Sequence, residues 1–113
     1  MAHYELTCIF KPNLEEDSLK KLTKKVQECV ENEEGKVVGK EIWGLIDLAY
    51  TINSFQKGYY IYLQIDISGN NVNKLKKSLN LLDENILRHL EINVDKHEKL
   101  PTVILQNREN NEK

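Results

Sequence analysis

Histidine, cysteine, serine and clustered carboxylate are the side chains of this chain that could do chemistry, and none falls in a pattern that chemistry requires. His3, His89 and His97 lie toward the two ends of the sequence, with no cysteine or carboxylate at the spacing of a metal-ligand motif. No metal site is expected from them. Ser18, Ser54, Ser68 and Ser78 have no histidine nearby in sequence to act as an activating base. Glu15, Glu16 and Asp17 could pass for a paired-carboxylate site, but acidic residues in a first helical turn are already accounted for by the helix dipole. No glycine-rich phosphate loop opens a helix. What remains are aromatic and basic groups, chiefly Tyr60, Tyr62, Lys57 and Arg88, whose chemistry is stacking and charge-assisted contact.

Such groups need a scaffold, and 113 residues are enough for one domain with a core. The composition, 40% hydrophobic and 30% charged, fits a small domain with a well-solvated surface. A formal net charge of -2 gives no global basic field, so any contact with nucleic acid must be local. Cys8 and Cys29 are far apart and each falls in the apolar phase of its element, which reads as buried free thiols in a reducing compartment. No apolar run approaches the roughly 20 residues that cross a bilayer, and the N-terminus lacks the apolar stretch of a signal peptide. A soluble intracellular protein without a membrane partner is the expectation.

Tyr4, Leu6, Cys8 and Phe10 alternate as one side of a strand that Pro12 ends. Asn13 and Glu16 suggest a reciprocal cap for a helix from about Leu14 to Asn32, carried by Leu19, Leu22, Val26, Cys29 and Val30. Lys36 to Ile52 reads as one long extended segment, with bulges or bends at Gly39 and Gly44. A turn is expected from Asn53 to Gly58. Tyr59 to Ile67 then alternates Tyr59, Ile61, Leu63, Ile65 and Ile67 toward a core, against Tyr60, Tyr62, Gln64 and Asp66. A second helix opens at Gly69, Asn70 and Asn71, with Val72, Leu75, Leu79 and Leu82 on one stripe. In the last strand Ile86, Leu90, Ile92 and Val94 are expected to face inward, with Arg88 the one charge in that phase.

The order β-α-β-β-α-β is that of an α+β, ferredoxin-like domain: a four-stranded antiparallel sheet with both helices on one face. The first and third strands should be central, and the other face should stay open, carrying Tyr60, Tyr62 and Gln64. The domain is expected to span residues 1–98, followed by a polar tail over 99–113 that lacks order from Gln106 onward. Lys57-Gly58-Tyr59 superficially matches a strand signature of RNA-recognition motifs, but Ile61 takes the position where that signature needs an exposed aromatic, and its phase belongs to the core.

The pieces Tyr4-Glu5, Pro12-Asn13-Leu14, Trp43-Gly44, Leu48-Ala49-Tyr50, Lys57-Gly58-Tyr59-Tyr60 and Asp83 through Leu90 occur in an order and spacing that closely resembles one family. It is the family of the sixth protein of the bacterial and organellar small ribosomal subunit, and the match covers about residues 3 to 98. The resemblance implies a non-catalytic ribosomal constituent, without cofactor or small-molecule substrate, that binds ribosomal RNA of the platform together with the subunit's eighteenth protein as heterodimer. Carried over by position, Tyr4, Lys57, Tyr60 and Arg88 are expected near the RNA or the partner and are taken as RNA contacts, with Trp43 and Tyr50 on the long hairpin strand; these two, with Leu45 and Ile46 that depart from the family, are expected at the partner protein. The implied location is the cytoplasmic ribosome, with an organellar ribosome as the other setting. Family members typically carry arginine within the two positions after Trp-Gly and proline after Leu-Ala-Tyr, where this chain has Leu45, Ile46 and Thr51. That change, with Asp47, shifts the long strand from gripping RNA toward packing on protein.

The alternative from another class is a ligand-sensing regulatory domain that dimerises through its sheet. Such sensors need a glycine-rich loop at a strand-helix junction, which Phe10 to Leu14 does not offer. A small acylphosphatase-type enzyme would need an early arginine, whereas the only arginines are Arg88 and Arg108.

Overall fold

The computed structural model describes residues 1–102. The elements run β1 (Ala2–Phe10), α1 (Glu16–Asn32), β2 (Lys36–Ile52), β3 (Phe55–Ile67), α2 (Gly69–Leu82) and β4 (Ile86–Val94). One antiparallel sheet has the strand order β2-β3-β1-β4, so β1 and β3 are central and the domain is the α+β, ferredoxin-like arrangement expected from the element order. Leu6, Cys8 and Phe10 of β1 and Ile61, Leu63, Ile65 and Ile67 of β3 meet Leu22, Val26 and Val30 of α1 and Val72, Leu75 and Leu79 of α2 in a single core. Each fully buried aliphatic side chain there contributes about 1.5–3 kcal/mol relative to exposure.

Four local features differ from the sequence expectation. The helix α1 begins at Glu16, with Glu15 at its cap position and no side-chain cap, so the Asn13-Glu16 pairing does not form. Glu16 and Asp17 still sit in its first turn, where they favour the dipole. The second helix is capped by Ser68, whose hydroxyl accepts from the Asn70 backbone N–H at 3.3 Å.

The hairpin turn is shorter than the Asn53-Gly58 span. Asn53 and Ser54 take φ of 49° and 72°, and Ile52 already faces Phe55. Two consecutive left-handed residues make the turn whose twist matches paired strands, and asparagine tolerates that conformation. Lys57 and Gly58 therefore belong to β3.

Ile86 of β4 packs on the core as read, but a register shift between Ile9 and Phe10 reverses the face of the strand from Arg88 onward. Leu6 pairs with Glu91 and Cys8 with His89, so the helix side of β4 carries His89 and Glu91. His89 Nδ1 lies 2.6 Å from Glu91 Oε2, and its Nε2 lies 2.6 Å from Asn80 Oδ1 of α2. This polar pair occupies the space beneath α2, and Leu90 and Ile92, expected inward, lie on the opposite face at 57% and 46% exposure.

That opposite face is only partly open. Tyr62 and Gln64 point to it as read, yet they are 3% and 4% exposed. The Trp43 ring stacks on Tyr62, and the chain beyond β4 folds back over Gln64: Gln64 Nε2 donates to the Glu98 carbonyl at 2.8 Å, and a Cβ added to Gly39 would sit 3.1 Å from Leu100. The first atom such a Cβ would meet is Gln64 Oε1, so Gly39 makes room for the Gln64 side chain before the covering segment. Packing continues to Thr102, past the end expected for the domain at residue 98, and the reading of the tail from Gln106 falls outside the described residues.

Candidate functional site

The helix-free face is built from alternate residues of all four strands. Register places Glu5 beside Gln64 and Ile92, Thr7 beside Tyr62 and Leu90, and Ile9 beside Tyr60 and Arg88. Directly opposed residues share a face, so each trio is a row across β3, β1 and β4. The row through Ile9 brings together the two RNA-contact candidates Tyr60 and Arg88. With strands about 4.8 Å apart, their backbones are about 10 Å apart, one on each side of Ile9. Arg88 is exposed and Tyr60 half-buried.

The other two RNA candidates do not join this row. Tyr4 pairs with Ile65 and Asn93, in the phase of the core, and packs half-buried against the core beneath the helices. Lys57 has the same inward phase on the hairpin, opposite Asp47, and its ammonium lies 4.0 Å from the Asp47 carboxylate. Both side chains are well exposed, so the pair is worth little as an ion pair. Asp47 nevertheless offsets the one basic group at this end of the hairpin.

The partner-contact candidates follow β2 and divide between its faces. A register shift between Ile42 and Gly44, with Gly44 at φ 81°, swings the strand at Trp43. The indole stacks on Tyr62 at 5.0 Å and on Tyr60 at 6.5 Å between ring centroids. Its N–H donates to Glu41 Oε1 at 2.8 Å. Ile46 opposes Gly58 on the same face, and Leu45 opposes Tyr59 on the other. Tyr50, near the hairpin tip, is 84% exposed.

Buried polar groups hold this aromatic stack. Glu41 Oε1 and Oε2 accept from the Thr102 hydroxyl at 2.6 Å and the Thr102 backbone N–H at 2.7 Å. Tyr62 donates to Glu5 Oε2 at 2.5 Å, and burial together with that carboxylate pushes its hydroxyl pKa up. Tyr62 is therefore a fixed donor beneath Trp43.

The chemistry left to the face is recognition. Arg88 can grip a phosphate or a carboxylate, Tyr60 and Trp43 offer ring surface, and Leu90 and Ile92 offer apolar area. Burial pushes the Cys8 and Cys29 thiols up from their ordinary range, which suppresses the reactive thiolate, and both are free. The sequence reading missed the convergence of His3, Asp66 and His97. His3 and Asp66 are in the outward phase of β1 and β3, but only the β1-β3 register makes them partners.

A family model described as Ribosomal protein S6 matches residues 3–93. The small ribosomal subunit protein bS6 of Rickettsia felis is 35% identical over 107 residues, covering 95% of this chain and 88% of its own length. The protein of the same name from Trichlorobacter lovleyi is 40% identical over 100 residues, covering 88% of this chain and 81% of its own. A crystal structure of 30S ribosomal protein S6 from Thermotoga maritima superposes with a TM-score of 0.75 at 23% identity, covering 98% of this chain and 96% of that one.

Proposed function

Because the chain belongs to the ribosomal protein S6 family, a structural constituent of the small ribosomal subunit and not an enzyme, we propose that it binds small-subunit ribosomal RNA of the platform jointly with the subunit's eighteenth protein. The observation that carries this reading is the Tyr60-Ile9-Arg88 row, with exposed Leu90 and Ile92 beside it on β4. Arg88 contributes a charge-assisted contact to a phosphate and Tyr60 a ring for stacking, while the apolar residues next to them suit a protein. One surface thereby serves both partners where RNA and protein meet.

Weak overall charge supports joint binding. With a net charge of -2 for the chain and Arg88 the one lysine or arginine in the three rows across β3, β1 and β4, this face releases few counterions from RNA, so its affinity for RNA alone is low. A protein partner that covers Leu90 and Ile92 adds apolar burial and completes the affinity. Tyr60 and Arg88 are the first RNA-facing residues in this reading, with Lys57 farther along the hairpin on the helix side of the sheet; Tyr4 positions β1 from beneath. Trp43, Ile46 and Tyr50, with Leu45 on the reverse of the strand, extend the protein-facing surface along β2.

The test is a titration of a platform-region RNA fragment with the purified chain, with and without the eighteenth protein. Tight binding only in its presence is expected. Equal affinity in both arms overturns joint binding, and absence of the chain from native small subunits in co-sedimentation overturns the ribosomal placement as a whole.

A further inference from the structure

We propose that His3, Asp66 and His97, which three separate segments bring to one end of the helix-free face, form a binding site for a divalent transition-metal ion of the zinc type. His3 and Asp66 are directly paired across β1 and β3, so their side chains leave the sheet on the same side. His97, just beyond β4, folds back onto them. His3 Nδ1 lies 2.6 Å and His97 Nε2 2.9 Å from the same oxygen, Asp66 Oδ1, and one ligand atom from each residue lies within 4.8 Å of the others. The imidazoles meet edge to face, with centroids 4.9 Å apart and planes at 62°, so their nitrogens converge without the rings stacking.

Two imidazoles and a carboxylate are the donor set of a zinc-type ion, whereas calcium and magnesium take oxygen ligands. Bonds of about 2.0–2.2 Å around a tetrahedral ion put its donors about 3.3 Å apart. The two hydrogen-bonded contacts therefore need to open by less than about 1 Å, and the two imidazole donors, within 4.8 Å of one another, to close by about 1.5 Å at most. Asp66 Oδ1 is the oxygen that both imidazoles share, so the carboxylate sits where the two ring nitrogens converge.

Each neutral imidazole becomes a ligand by moving its ring proton to the other nitrogen, and any imidazolium releases a proton to solvent. For part-exposed His3 that proton is taken up facing water. His97 Nδ1 is buried with no partner among the described residues, so His97 limits the affinity. A fourth position remains for water. Bound metal would clip the start of β1 and the covering segment to β3, independently of RNA or any protein partner.

The test is calorimetric titration of the purified full chain with Zn²⁺, alongside Co²⁺ followed by its visible absorption. One equivalent of either ion, a tetrahedral cobalt spectrum and a raised melting temperature are expected. Asp66→Asn and His3→Gln should each weaken binding at least tenfold, and His89→Gln, remote from the cluster, should leave it unchanged. Circular dichroism checks each fold, and His3→Gln carries the test alone if Asp66→Asn does not fold. Absence of saturable binding overturns the site, as does binding that survives His3→Gln or Asp66→Asn in the folded protein.

Discussion

Tyr60 and Arg88 both lie directly opposite Ile9, one on each neighbouring strand, so a ring and a guanidinium share a single row of the sheet. The arrangement separates their contributions to RNA affinity. Arg88→Ala should weaken the RNA complex by about 1 kcal/mol or more by losing a charge-assisted contact, with a shallower salt dependence. Tyr60→Ala should weaken it by about 1–3 kcal/mol with the salt slope retained. Binding isotherms at several salt concentrations read both, and unchanged affinity for either variant removes that residue from the site.

Glu41 is buried and accepts from Trp43 and twice from Thr102. Glu41→Ala leaves those donors unpaired and should cost about 2 kcal/mol or more in urea unfolding. Because Trp43 stacks on Tyr62, the same variant should loosen the indole, visible as a red shift in its fluorescence before global unfolding. An unshifted spectrum with wild-type stability would show that the covering segment holds without this carboxylate.

Asp83 carries a pH dependence. The Asn85 backbone N–H, foremost, and Lys25 at 3.1 Å favour its ionised form and lower its pKa in the folded state. A depressed folded pKa contributes stability above the unfolded value, about 3.9, and that stability is lost as pH falls through the lower folded value. Asp83→Asn should therefore cost about 1 kcal/mol at pH 7 and nothing measurable once acid has protonated the native carboxyl. Thermal melts of both proteins across that range give the difference directly, and a pH-independent cost would assign it to shape instead of charge.

Cys8 and Cys29 are both buried with thiols shifted up, so neither should react with a thiol reagent at mild alkaline pH in the native state. Labelling should follow global unfolding and accelerate in parallel with added urea. Rapid modification of Cys29 alone would reveal local opening between α1 and α2.

Much of the architecture was legible because alternation in β1 and β3 and the stripes of both helices are periodic signals that local sequence carries. Leu90 and Ile92 show where periodicity stops: Ile86 faces the core as read, but a register shift against β1 turns the rest of the row outward, and His89 and Glu91 satisfy each other beneath α2. Tyr62 and Gln64 were placed on the correct face, but strand alternation does not show that Trp43 stacks on the one and Glu98 beyond β4 bonds the other. Of the site residues, Tyr60 and Arg88 come together only through the sheet register. His3, Asp66 and His97 escaped notice for the same reason, since ligand spacing along a chain says nothing about donors that meet across strands.

The buried bond between Glu41 and Thr102 joins residues 61 positions apart, and Thr102 is the last residue described. During synthesis β2 and β3 can pair as a hairpin long before that partner exists. Until Thr102 emerges, Glu41 on the outer face of the hairpin lacks the two donors that Thr102 supplies, and closing so distant a contact is intrinsically slow. The surface proposed for RNA and protein therefore closes only after Thr102 has been made, and a nascent chain arrested before that point would present a different face, with Glu41 and Gln64 lacking their partners from beyond β4.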